Sequence, residues 1–276
     1  MVYMSKKFKI VFGVILIVLI ISSPYFQFLK SVTIMSISST YQRNYSLLKE
    51  ENIKISMPGG ISTIKKDWYP FVMTFNSSEG FSNYVGKDVK LSILYNFGAY
   101  DFNHRASTFY DRFSPYFNAF YGAYVVKGKG FPYGYFADGK PDYDEMALIA
   151  KYDMTQLVLN SLGCTHYTFD SQLEEGLSMD KLLGYEDWDV IEGTVLTNSP
   201  MHMKKDGLEA YIQYGKPPKN LFEGKDFPLV EMKGKFYARY FQENGCTIFF
   251  YAIASNSKVI EEWENDILLN TKLSVE

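Results

Sequence analysis

Histidine, cysteine and carboxylate side chains carry most protein catalysis and metal binding, and this chain uses the first two sparingly. It has three histidines, His104, His166 and His202, and two cysteines, Cys164 and Cys246. Asp101-Phe-Asn-His104 sets a carboxylate and an imidazole three apart, and Asp170 follows His166 at a spacing of four. A zinc site needs three or four convergent ligands. With neither HExxH nor CxxC spacing in the chain, such a site would have to assemble from distant segments. No metal and no cofactor are therefore expected. Met201-His202-Met203 offers ligands soft enough for copper, but a lone triplet is expected to lie at the surface. The catalytic alternative is a hydrolase site built from His104, His166, Asp101 and nearby carboxylates.

Cys164-Thr-His166 places a thiol and an imidazole on the same side of an extended segment. However, Cys164 follows the end of an expected helix, where the negative dipole pole raises a thiol pKa rather than lowering it. Cys164 and Cys246 are one candidate disulfide if the domain faces an oxidising compartment. Otherwise they are two small buried hydrophobes. The acidic run Glu186-Asp187-Trp188-Asp189 to Glu192 has the carboxylates that glycoside hydrolysis needs. Its simpler reading is a solvated turn with Trp188 packed inward. There is no G-x-S-x-G elbow, and Gly128-Lys129-Gly130 lacks the frame of a phosphate loop.

The aromatic stretch FYDRFSPYFNAFYGAYVVKGKGFPYGYF, residues 109–136, is the other feature that suggests a site. Phe109, Phe113, Tyr116, Phe120 and Tyr124 fit a helix, whereas Phe120, Gly122, Tyr124 and Val126 fit a strand. Pro115 opposes a helix, Gly122 weakens one, and Val125-Val126 favours sheet. The stretch is therefore expected to turn at Ser114-Pro115 and run as a strand over residues 119–127. In the Gly- and Pro-rich loop beyond, Phe131, Tyr133, Tyr135 and Phe136 are the candidate binding residues. They would form a platform for a sugar ring or an apolar partner, unless they cover the core.

These residues need a scaffold, and the pattern implies an α+β domain with one mostly antiparallel sheet and a few packed helices. Residues 67–75 and 89–95 have strand character. Residues 146–152 suit either strand or helix. Asp153 with Gln156 three residues on reads as a capping box for a helix over 154–162, followed by a strand over 165–169. Near the C-terminus, Asn244-Gly245 between two apolar runs predicts a two-residue hairpin. That hairpin would pair Glu243 with Cys246, Phe241 with Ile248 and Tyr237 with Ala252. Its second strand is apolar on both faces, so it should be central and covered on both sides. A helix from about Lys258, capped by Ser255 or Ser257, should lay Val259, Ile260, Trp263 and Ile267 on the sheet.

The N-terminus is the strongest compositional signal. Lys6, Lys7 and Lys9 precede an uninterrupted apolar run over residues 10–21, which extends to twenty residues at Leu29. This is the pattern of a secretory signal or a signal anchor, and twenty residues match the hydrocarbon thickness of a bilayer. The candidate cleavage site, Ile21-Ser22-Ser23 before Pro24, is poor, because proline fits badly in a protease cleft. A retained anchor is therefore expected over a secreted protein with a cleaved signal. The lysine cluster should keep the N-terminus cytoplasmic and place the rest outside a cell membrane. The expected organisation is an anchor over residues 1–30, a stalk over 31–50 and an extracytoplasmic domain over 51–276.

Composition agrees with such a domain. Hydrophobic residues make up 47% of the 276, enough for a substantial core. A net charge of -3 leaves no basic footprint, so no nucleic-acid partner is expected. With 23 Tyr and 22 Phe, the chain favours strands. The expected function is a single-pass anchored binding or accessory module with a protein or envelope-polymer partner.

Overall fold

The strand that follows Asn244-Gly245 lies at the centre of the sheet, as its two apolar faces require. In the computed structural model, which describes residues 6–63, 66–102, 106–111, 113–160, 164, 166–174, 178–199 and 228–276, this strand is β11 (Cys246–Ala254). All nine of its residues are buried. The sheet runs in the order β2 (Met73–Asn76), β3 (Val89–Phe97), β6 (Phe120–Gly128), β11, β10 (Leu229–Phe241), β9 (Tyr185–Asn198) and β7 (Phe169–Glu174). β8 (Ser178–Leu182) also pairs with β9, and every pairing is antiparallel. The mixed α+β class with one antiparallel sheet is therefore present, and β6 occupies nearly the span expected from the aromatic stretch.

Each sheet face buries its own apolar cluster. One holds Trp188, Ile248, Phe250 and Trp263 beneath β1 (Ile53–Ser56) and α6 (Ser257–Trp263). The other holds Tyr124, Phe249 and Tyr251 beneath α4 (Ser78–Val85) and α5 (Tyr143–Tyr152). The expected stripe on α6 is buried throughout, from Val259 to Ile267. Its N-cap is Asn256, whose side chain accepts from the Lys258 amide at 3.1 Å, rather than either expected serine. β1 pairs with the last strand, β12 (Lys272–Val275), so the two ends of the sheet domain meet.

Three local expectations are corrected. The hairpin pairs Phe241 with Cys246, Arg239 with Ile248 and Tyr237 with Phe250, two residues away from the register expected for a two-residue loop. Gly245 is left-handed at φ 63 but Asn244 is not, so the type I′ turn does not form. Instead the Asn244 side-chain amide donates to the carbonyls of Glu51 and Glu276, at 3.1 and 3.2 Å. A shift of two keeps every side chain on its expected face. Asp153 is not an N-cap either. Helix α5 starts nine residues after Gly134, capped by Asp142 accepting from the Glu145 amide at 3.1 Å, and runs on through a π-helical segment Asp153–Leu159. The extended segment after it begins only at Phe169, and of residues 67–75 only the end, β2, is strand.

The N-terminal region also differs from a stalked anchor. α1 (Lys6–Ile21) has 16 residues and α2 (Pro24–Asn44) has 21, with Ser23 capping α2 by accepting from the Phe26 amide. No helix among the described residues is long and apolar enough to cross a membrane. α2 lies on β2 instead of leading away from it. Met35 is buried, Ser31 and Tyr69 share a 2.9 Å hydrogen bond, and Ser39 accepts from the Thr74 amide at 2.9 Å. One turn further on, Asn76 donates to the Gln42 carbonyl at 2.5 Å. Residues 31–50 are thus part of the folded domain, with Leu47 and Leu48 of α3 (Leu47–Glu50) in its core.

Candidate functional site

The aromatic loop after β6 is mostly used for packing. Tyr133 is fully buried, and its hydroxyl donates to the Glu145 carbonyl at 2.8 Å. The Glu145 carboxylate accepts from the Gly134 amide at 2.7 Å and pairs with Lys87. Tyr135 is partly buried and donates to Asp189 at 2.8 Å. Phe131 folds back on Gly128, with the Lys87 ammonium 5.5 Å from its ring centre. Only Phe136, at 53%, is well exposed. Tyr133 thus straps the loop to the start of α5, Tyr135 to β9 and Phe131 to the end of β6, and a platform of four free rings is not formed.

Of the catalytic candidates, the two among the described residues, Asp101 and His166, lie apart. Asp101 lies on the short strand β4 (Tyr100–Asp101), paired with β5 (Ala106–Ser107), on the side of the molecule where α2 covers β2. His166 is exposed near α5 and β7, at the other edge of the sheet, where its carbonyl accepts from the Cys164 thiol at 3.0 Å. Asp170 is exposed on β7. His104 and the Met201-His202-Met203 triplet lie outside the described residues. No group of three or more metal-ligating side chains occurs among the described residues. In the acidic run, Trp188 is buried and donates to the carbonyls of Leu182 and Tyr185 at 3.1 and 3.2 Å, so it packs inward within a strand rather than a turn.

The candidate disulfide is also not made. Cys164 and Cys246 are both buried as thiols, in the clusters on opposite faces of the sheet. Burial, helped by nearby Glu51 and opposed by Lys127, pushes the Cys246 thiol up to about 12. It is therefore a packed side chain rather than a nucleophile.

The most perturbed acid is one that sequence reasoning assigned to a cap. Asp153 sits where α5 becomes π-helical, and it accepts from the Tyr124 hydroxyl at 2.8 Å. Burial lifts its carboxyl from 3.8 to about 6, against the opposing effect of that hydrogen bond. Tyr124 stacks on Tyr251 with ring centres 4.2 Å apart and planes 9° from parallel. Tyr251 is fully buried, and its hydroxyl has no hydrogen-bond partner among the described residues. Tyr95, Tyr124 and Tyr251 are all pushed well above the usual phenol range, mainly by burial and then by the Asp153 charge. Gly122 makes room for the group, since it lies between Tyr95 and Tyr251 across three strands. A Cβ there would sit 2.9 Å from the Tyr251 hydroxyl and 1.8 Å from the Leu94 carbonyl oxygen. The missed signal was Asp142-x-x-Glu145, a capping box upstream that makes residue 153 interior to the helix.

This acid–phenol group adjoins an apolar seam between α5 and the sheet, lined by Tyr124, Ala147, Ala150, Ile191, Phe236 and Phe249. The seam encloses ≈ 20 Å³. That is room for about one water, against roughly 300–1,000 Å³ for a typical small-molecule site.

A second cluster lies where α1 gives way to α2. Tyr25 stacks on Phe102 at 4.7 Å, Phe28 contacts Phe102 at 5.2 Å and Tyr100 at 5.6 Å, and Tyr100 contacts Phe102 at 5.2 Å. Tyr25 is 64% exposed. Preceding it, every Val, Ile, Leu and Phe from Val11 to Ile21 is at least 47% exposed. No protein-family model, no curated protein and no solved structure matches the chain.

Proposed function

We propose that the chain is a membrane-anchored binding or accessory module. In this reading its N-terminus is cytoplasmic and its sheet domain works outside, on a protein or an envelope polymer. The observation that carries the anchor is α1. From Ile10 onward it is apolar around its whole circumference, and its side chains from Val11 to Ile21 contact little of the protein. A helix that is hydrophobic all round belongs in a large core or in lipid, and the sheet domain fills its own core without it. The lysines before it favour retention of the N-terminus inside. Binding is favoured over catalysis because Asp101 and His166 lie at opposite edges of the sheet.

The test uses the full chain with a C-terminal epitope tag in intact cells. The protein should stay in the membrane pellet after alkaline carbonate washing, and external protease should remove the tag. Release by carbonate would refute the anchor, and a protected tag would refute the orientation.

A further inference from the structure

We propose that Tyr25, Phe28, Tyr100 and Phe102 form a membrane-seating collar. It places the β4–β5 end of the sheet domain directly on the outer headgroup layer of a lipid bilayer. The proposal rests on the anchor reading above and adds where the domain stands relative to the lipid. The first argument is length. The apolar part of α1, residues 10–21, rises ~18 Å, whereas the hydrocarbon core is ~30 Å thick. The shortfall is about two helical turns, and the outer one belongs to the start of α2 at Pro24. That turn carries Tyr25 and Phe28, with Leu29 at 61% exposure and Lys30 exposed just beyond.

The second argument is chemistry. Tyrosine combines an apolar ring with a polar tip and is enriched at the membrane–water boundary, and a lysine beside it extends its ammonium into the headgroups. The third argument is rigidity. α2 is held to the sheet by Met35 and by the hydrogen bonds of Ser31 and Ser39, so no free linker separates the anchor from the domain. Tyr100 and Phe102, stacked on Tyr25 and Phe28, must then come to the same depth. An all-round apolar helix continuous with this half-buried cluster and the exposed Tyr25 favours lipid as the occupant over a second copy of the chain.

The test places a reporter in the collar. Full-length F102W is reconstituted into vesicles of phosphatidylcholine and phosphatidylglycerol with bromine at a shallow or a deep acyl position. Its added emission is read as the difference from wild type, whose tryptophans are all buried. Y41W, on an exposed site of α2 further from α1, is the control. Shallow bromolipid should remove most of the added emission of F102W, deep bromolipid should remove less, and Y41W should lose none. If the vesicles float with the protein but F102W is unquenched, the collar is wrong and the anchor stands. Failure to float overturns both. Unquenched F102W together with a doubled protein mass by light scattering would mean that a second copy covers the rings, which also overturns the proposal.

Discussion

Asp153 shows how one carboxyl ties the fold to pH. Its folded-state pKa of about 6 lies above the ordinary 3.8 because burial disfavours the charged form. The folded protein therefore binds this proton more tightly than the unfolded chain does. Stability from this group is complete below about pH 4 and is lost as pH rises through about 6. A shift of about two units corresponds to about 3 kcal/mol at most. Asp153→Asn keeps an acceptor for the Tyr124 hydroxyl and removes the charge. The variant should be more stable than wild type at pH 7, and the difference should vanish near pH 4. Urea unfolding followed by tryptophan emission at both pH values checks this. A variant less stable than wild type at pH 7 would mean that the ionised carboxylate is favoured in the fold. The residue was hard to read in the sequence because Asp153-x-x-Gln156 imitates a helix start. The imitation fails because Asp142 and Glu145 had already begun the helix, as the Asp142 cap shows.

At the scale of elements, the central pair β6–β11 depends on a position with no side chain. Gly122 faces Tyr251 on one neighbour and Tyr95 on the other. A methyl group there would lie 1.8 Å from the Leu94 carbonyl oxygen, a backbone atom that cannot move without parting two strands. Gly122→Ala should therefore cost about 3 kcal/mol, at the upper end for overpacking. A lowered urea midpoint with an unchanged slope is the expected result, and a midpoint within error of wild type would mean that β3 and β6 can separate locally. The central place of β11 was legible in the sequence, because only a strand covered on both faces can be apolar on both. The hairpin register was not legible. It depends on Asn244 reaching Glu51 and Glu276, which are distant in sequence. The identity of the strand faces survived because the error was an even number of residues.

For the whole molecule, the fold does not begin at residue 51, where composition suggested a boundary. Met35, Leu47 and Leu48 are buried in the domain. At about 2 kcal/mol for each buried side chain, their removal takes away about 6 kcal/mol, comparable with the whole stability of many domains. A chain starting at Glu51 should be aggregated or should melt far below one starting at Pro24, as read by differential scanning fluorimetry. Equal melting temperatures would show that α2 and α3 contribute little. This docking was hard to read in the sequence, because α2 meets the domain through two apolar residues, Val32 and Met35, and otherwise through polar side chains such as Ser31, Ser39 and Gln42, with no continuous apolar stripe. The candidate catalytic residues were similarly illegible as a group. Spacing along the chain puts Asp101 near His104 but says nothing of which sheet edge each segment reaches.

The position of β11 also sets a timetable. The strand that joins the two halves of the sheet comprises residues 246–254, so it is made well after β2, β3 and β6 on one side of it. At about 5–20 residues per second, the ribosome needs about 12–50 s to reach it. From the synthesis of β6 onward that strand lacks its neighbour on one side, and Tyr124 lacks the Tyr251 ring on which it stacks. The nascent chain must carry β6 with one edge unpaired until β11 has been made, so the two halves of the sheet join only after that point.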